Sequence, residues 1–328
     1  VGVGGVLRRD GFRLALAQPP AHRPGGGLAG GRGIPGERIL SPWLVLAAGA
    51  AVIGFAPIAV RFAEGAGPAA IGMWRLLFAL PVLWLAVRAR PGTDAPPAAA
   101  GRWALVAGLC FAGDLATWHW SIRQTGVAHA ALYSNCAPLV LAVGLWLLCG
   151  IRPGWRLAVA LAVALGGVGL LVGDPGAPGP APGLGAATGL ASAVFYAGYQ
   201  VAIARAAAGL GPVRAMLVSS ALGAAALAVT AVLSGERLTP TTAGGWAAVL
   251  VLGLVIHAGG QGLIARALAV LPAGPAAVVL LIQPVVAALA AWPLCGERPG
   301  TWQVAGGVLI LVGVVLARRS APGATPSP

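Results

Sequence analysis

The stretch CGIRPG occupies residues 149–154, and CGERPG occupies residues 295–300. Two near-identical six-residue turns, 146 residues apart, point to an internal repeat, and the flanking sequence supports one. With the same shift, Pro284 falls on Pro138 and Cys295 on Cys149. Near the starts of the two halves the shift is 144: Gly198 falls on Gly54, Arg205 on Arg61, and Gly211-Pro212 on Gly67-Pro68. One small insertion accounts for the drift of two residues, so the chain reads as one unit written twice.

The composition says where that unit lives. Of 328 residues, 58% are hydrophobic and 9% charged. A soluble domain carries about 25% charged residues, so this chain lacks the polar surface to face water all round and reads as a membrane protein. Its net charge of +13 comes from 21 basic residues, every one an Arg. The Arg residues punctuate apolar runs instead of gathering on one face, which argues against nucleic acid as a partner. A bilayer-crossing helix needs about 20 apolar residues, range roughly 17–25. Runs between Arg, Gly-Pro and Asp breaks predict ten: 42–61, 69–87, 103–121, 128–148, 155–173, 184–204, 213–233, 245–265, 272–294 and 301–317.

The expected fold is therefore an all-α polytopic membrane protein with ten transmembrane helices. Five helices per unit is an odd number, so the second copy starts on the opposite side of the bilayer. The two units form inverted-topology repeats, a plan shared by many secondary transporters. Repeat one covers 42–173 and repeat two 184–318, joined by a Gly/Pro linker at 174–183. A basic N-terminal extension (1–41) and a tail (319–328) are expected to be disordered. With the N-terminus inside, sixteen Arg residues lie on cytoplasmic segments and four outside, with Arg75 within a span. The positive-inside rule then places both termini in the cytoplasm. Cys110, Cys136, Cys149 and Cys295 sit in or beside apolar runs without metal spacing, so neither a metal site nor a disulfide is expected.

The pattern resembles a known family. Ten helices in two units, each closed by a segment like "P…CGERPG…Q…GG…L…G", are similar to the EamA domain of the drug/metabolite transporter superfamily. "GDLATWHWSIRQTGVAHAALYSNCAPLVLAV" (113–143) resembles the helix three–four signature of one bacterial branch, and "WRLLFALP" (74–81) resembles the second helix. The resemblance spans about 42–318. It implies a transporter of the bacterial inner (plasma) membrane, not an enzyme, exporting an amino acid or similar metabolite. Uptake is the alternative direction, and a non-transporting receptor or accessory subunit an alternative class. The family's acidic residue in the closing turn matches Glu297, whereas the first repeat has Ile151.

Candidate site residues follow from the cost of burying polarity in a bilayer. Asp114 is the one acid well inside a span. At 100° per residue, Cys110, Thr117, Trp118 and Ser121 share its side of helix three, making a polar stripe with an aromatic wall. An acid there is suited to exchanging a proton during transport; the alternative is an acid hydrogen-bonded only for packing. On helix six, Ser192, Tyr196, Tyr199 and Gln200 form a second stripe. His257 and Gln261 share a face of helix eight. Tyr133, Ser134 and Asn135 precede Pro138, and Gln283 precedes Pro284; the matched prolines are expected bend points at binding level. Arg75 either snorkels or meets an anionic group. Arg61 and Arg205, at repeat-equivalent helix ends, read as interface anchors. The expected partners are the bilayer and a small-molecule substrate. Monomer and homodimer are both open. No cofactor is expected, and with no Lys a P-loop is impossible.

Overall fold

The structure is a computed structural model that describes residues 41–89, 98–125, 130, 133–150, 152–172, 182–296 and 300–320. The N-terminal extension through residue 40, most of the 174–183 linker, the last eight residues, and the pair Ile151 and Glu297 lie outside the described residues. Among the described residues there is no strand.

The helices among the described residues group into ten segments along the chain. Segment 1 is α1 (Pro42–Ile53) and α2 (Ala56–Phe62), parted by a turn at Gly54–Phe55. Segments 2 and 3 are α3 (Pro68–Ala89) and α4 (Ala98–Thr125). Segment 4 ends in α5 (Ala137–Cys149), and segment 5 is α6 (Trp155–Val172). Segments 6 and 7 are α7 (Pro182–Leu210) and α8 (Pro212–Leu233). Segment 8 joins α9 (Ala243–Val251), a π-helical stretch (Leu252–Gln261) and α10 (Gly262–Leu268). Segment 9 is α11 (Ala273–Val279) and α12 (Ile282–Cys295), and segment 10 is α13 (Thr301–Arg319). Eight of the ten are long and apolar enough to cross a membrane; the apolar cores of α5 (Ala137–Leu147) and α6 (Trp155–Leu170) are shorter. The chain is an integral, multi-pass membrane protein.

The repeated hexapeptide is one helix stop used twice. Gly150 and Gly296 cap α5 and α12 with φ of 71° and 74°, a left-handed conformation that favours glycine. Each amide donates back to a Trp carbonyl, Gly150 to Trp146 at 2.8 Å and Gly296 to Trp292 at 3.0 Å. The breaks ahead of these helices also match. Turns at Asn135–Cys136 and Leu280–Leu281 precede α5 and α12, their repeat positions agreeing to within one residue. Pro138 therefore stands in the first turn of α5, where its missing N–H costs no hydrogen bond. Pro284 stands correspondingly near the start of α12.

Expected boundaries shift, most of all at α4 and α7. Helix three was expected from 103 and helix six to 204, yet α4 starts at Ala98 and α7 runs to Leu210. Alanine-rich sequence carries a helix through a single Arg. It stops where the backbone must change hand, at Gly211, whose φ is 79°.

Packing follows the repeat. Segment 3 lies along segment 6, and segment 8 along segment 1; segment 2 contacts 8, and segment 7 contacts 3. Segments 2 and 7 pair with each other, as do 5 and 10. Exchanging the repeats maps every one of these contacts onto another or onto itself, as a two-fold relation requires. Small residues make the close approaches possible. A Cβ on Gly260 would come within 2.8 Å of Val52 across the segment 1–8 seam, and one on Gly313 within 2.9 Å of the Ala160 carbonyl across 5–10. The outer faces carry Leu85, Leu147, Trp155, Leu233 and Trp302, all well exposed and apolar. This is the surface a bilayer covers.

On one side of the bundle the two halves are clasped together. Gly67 N–H donates to the Arg237 carbonyl at 2.8 Å, and Thr241 N–H to the Glu64 carbonyl at 3.2 Å. Trp74 Nε1 donates to the Leu238 carbonyl at 2.7 Å. Glu236 Oε2 accepts from Ala69 N at 2.9 Å and Ala70 N at 3.1 Å, capping α3 from the other half of the chain.

Candidate functional site

Among the described residues polar side chains are scarce in the core, and the buried ones lie on α3, α4, α7, α8 and the π stretch. Asp114 is 8% exposed on α4, and Ser192 of α7 is fully buried beside it. The Ser192 hydroxyl donates to Asp114 Oδ1 at 2.6 Å, joining the two repeats. Ser134 Oγ lies 3.4 Å from the same hydroxyl. α4 and α7 approach this closely because Gly113, Gly189 and Gly198 line their seam; a Cβ on Gly113 would meet the Phe195 ring, and one on Gly189 would meet Tyr133.

Arg75 is 5% exposed on α3 and lies within electrostatic reach of Asp114, Tyr196 and Tyr199. Its guanidinium carbon sits 5.4 Å above the centre of the Phe111 ring. Phe111 also meets Tyr199 at 4.7 Å and stacks on His257 at 5.3 Å between ring centres. His257 Nε2 is 2.8 Å from Ser220 Oγ. Tyr196 and Tyr199 stack at 6.1 Å. Gln283 Nε2 donates to the Tyr196 hydroxyl at 3.4 Å, and Tyr199 donates to the Met216 sulfur at 3.5 Å. Gln261 lies beside both tyrosines.

The structure thus brings Arg75, Asp114, Tyr196, Tyr199, His257, Gln261 and Gln283 into one polar, aromatic-lined centre. The other sequence candidates stand differently. Trp118 makes its ring contact with His119, at 5.1 Å. Tyr133 packs on α7 near Gly189. Asn135 is half-buried in the turn before α5. Gln200 is buried without a hydrogen-bond partner for either amide atom. A separate cavity of about 160 Å³, bounded by Trp120, Arg123 and Glu236, lies on the other face of α4. Neither Cys110 nor Cys136 is in a disulfide. Among the described residues, no group of three His, Cys, Asp or Glu side chains comes together to hold a metal.

The sequence profile of the EamA-like transporter family matches residues 41–173 and 183–319, once for each repeat. The chain belongs to the EamA-like transporter family. It is a membrane transporter of the drug/metabolite type. A solved crystal structure, described only as that of a protein, superposes on this EamA-like chain with a TM-score of 0.69. That likeness covers 85% of this chain and 97% of the other at 19% identity, which speaks to the fold alone. Comparison with curated protein sequences found no match.

Sequence reasoning missed three members of the centre. Phe111 lies three residues before Asp114 on the same side of α4, so helical spacing could have found it. Ser220 and Met216 share a face of α8, but nothing local marks that face as inward. Outside the centre, Glu236 of the clasp also went unread, because its role exists only once two distant linkers meet.

Proposed function

We propose that this EamA-like protein is a secondary transporter that carries a small polar metabolite across a bacterial inner membrane. Ten crossings arranged as inverted repeats put both termini in the cytoplasm, and the two repeats rock about the central polar site. Export of an amino acid or similar compound is the direction that the family resemblance favours. The observation that carries the reading is the Ser192–Asp114 hydrogen bond. It buries the one acid of the central site at the meeting of the two repeats, where a change in their relative position alters the acid's surroundings. Asp114 is the group proposed to exchange a proton. The test is flux of labelled amino acids and related metabolites into liposomes, with and without a pH gradient. Gradient-stimulated flux that Asp114→Asn abolishes supports the reading; flux indifferent to both gradient and substitution overturns the proton role.

A further inference from the structure

Arg75, His257 and Gln261 are each at least nineteen-twentieths buried, and in two of them a polar nitrogen has no hydrogen-bond partner: Arg75 Nε and His257 Nδ1. Unpaired buried polar groups are costly and rare, so two around one aromatic cluster call for an explanation. Arg75 and His257 both rest on Phe111, and Gln261 borders Tyr199, which also rests on Phe111. All three are donors: guanidinium and amide N–H always, and His257 Nδ1–H when Nε2 accepts from Ser220. A cluster of donors, two of them unpaired, carrying one positive charge is built for an anion.

We propose that Arg75, His257 and Gln261 form a subsite for a carboxylate on the transported molecule, and that Asp114 is Arg75's counter-charge only while that subsite is empty. This rests on the transporter reading and adds the substrate's charge to it. Charge balance ties the two groups together. When empty, the centre holds Arg75⁺ and Asp114⁻, which sum to zero. A bound carboxylate takes over as partner to Arg75 and would leave one net negative charge in a low-dielectric site. Uptake of one proton by the Asp114 carboxylate restores neutrality, with Ser192 keeping its hydrogen bond to the acid. Anion and proton then travel together, and the loaded centre is as neutral as the empty one. The other titratable groups facing Asp114 are Cys110 one turn earlier on α4, and Tyr196 and Tyr199 on α7; His119 and His257 face Arg75. Among these Asp114 is the one carboxylate.

The test is titration calorimetry on the full-length protein in lipid nanodiscs, with matched acid–amide pairs: acetate and acetamide, lactate and lactamide, benzoate and benzamide. Repeating each titration in buffers of different ionisation enthalpy counts the protons taken up. At least one acid is expected to bind about thirtyfold or more tightly than its amide, the scale of losing one partner of a buried charge pair. One proton should enter per anion bound. Arg75→Gln should abolish the acid preference and Arg75→Lys should keep part of it, which separates lost charge from lost folding. Asp114→Asn should bind the acid at least as tightly as wild type, with no proton uptake. The proposal is overturned if no acid binds, if acid and amide bind alike, or if Asp114→Asn weakens the acid. Displacement of the acid by equal concentrations of chloride or inorganic phosphate also overturns it, since the site would then be one for simple anions. Flux of the bound acid into liposomes separates the two readings. Binding without flux counts against transport and leaves the subsite standing; flux without acid preference does the reverse.

Discussion

Replacing Glu236 should loosen the start of α3, although the two lie in different halves of the chain. A helix begins with N–H groups that have no partner within it, and at α3 each is accounted for. Pro68 has none, Ala69 and Ala70 donate to Glu236 Oε2, and Ile71 donates to the Gly67 carbonyl at 2.9 Å. Glu236→Ala removes both side-chain bonds together with a negative charge at the positive end of the helix. Loss of a cap costs about 0.5–2 kcal/mol, and loss of the dipole interaction about 0.3–1 kcal/mol. The sum is about 1–3 kcal/mol. Glu236→Gln keeps a carbonyl acceptor and loses only the charge, so it should cost about 0.3–1 kcal/mol. Reversible unfolding in mixed micelles, followed by Trp fluorescence, measures both. Equal losses for Ala and Gln would show that the carboxylate does not act as a cap. A loss below about 0.3 kcal/mol for Ala, under the low end of the cap range, would show that the clasp holds without it.

Other perturbations test other parts of the fold. Gly296→Ala and Gly150→Ala should each destabilise by about 1–2 kcal/mol, because a Cβ disfavours the left-handed backbone at these helix ends, and the paired melts should agree since the two turns are equivalent. Gly260→Val should cost about 1–3 kcal/mol by overpacking the seam against Val52; unaltered stability would show that segments 1 and 8 have room to separate. Ser220→Ala strips His257 Nε2 of its partner and should cost about 1–3 kcal/mol, with Ser220→Thr restoring most of it. Ser192→Ala should reduce gradient-driven flux and Ser192→Thr preserve it; equal flux in both would remove the Ser192 hydrogen bond from the mechanism.

Much of this was legible in the sequence because bilayer physics leaves few choices. Apolar runs bounded by Arg and Gly-Pro fix the helical segments, and the repeated CG-x-RPG turn fixes the duplication. What the sequence could not show was geometry that arises between segments. The π stretch at Leu252–Gln261 is an example. Uniform helical spacing put His257 and Gln261 on one face, yet it could not show that this segment is wound more loosely. Gly253 and Gly260 lie within it, pressed against Phe78 and Val52 of neighbouring segments, and π-helical turns often occur at functional sites. Helix three gave up Asp114 because one acid in a long apolar run is conspicuous. Phe111 was hidden because one more aromatic in an apolar run is not. Trp118 read as a cavity wall from spacing alone, and its ring meets His119 on the same helix.

The repeat also explains why the centre is electrically lopsided. Arg205 follows Arg61 by 144 residues, and the same shift carries Arg75 to Ser219 and Asp114 to Ala258. Each lands one residue from a member of the Ser220–His257 pair. Near the shifted positions the second repeat carries the Ser220–His257 pair, where the first carries Arg75 and Asp114. Segment 6 carries Ser192, Tyr196, Tyr199 and Gln200, where the same shift finds Ala48, Val52, Phe55 and Ala56 in segment 1. A carrier needs two similar halves so that it can open to either side at similar cost. It needs only one chargeable site, since a second buried charge pair would add desolvation cost without a second substrate to offset it. Duplication supplied the symmetry, and divergence confined the charge to one half. Moving the pair should therefore fail. Installing an acid at Ala258 while removing Asp114 leaves the new carboxylate without Ser192, and Arg75 with its former partner gone. Flux should not recover in that double variant; recovery to the wild-type rate would show that the halves are interchangeable and that the Ser192–Asp114 contact is incidental.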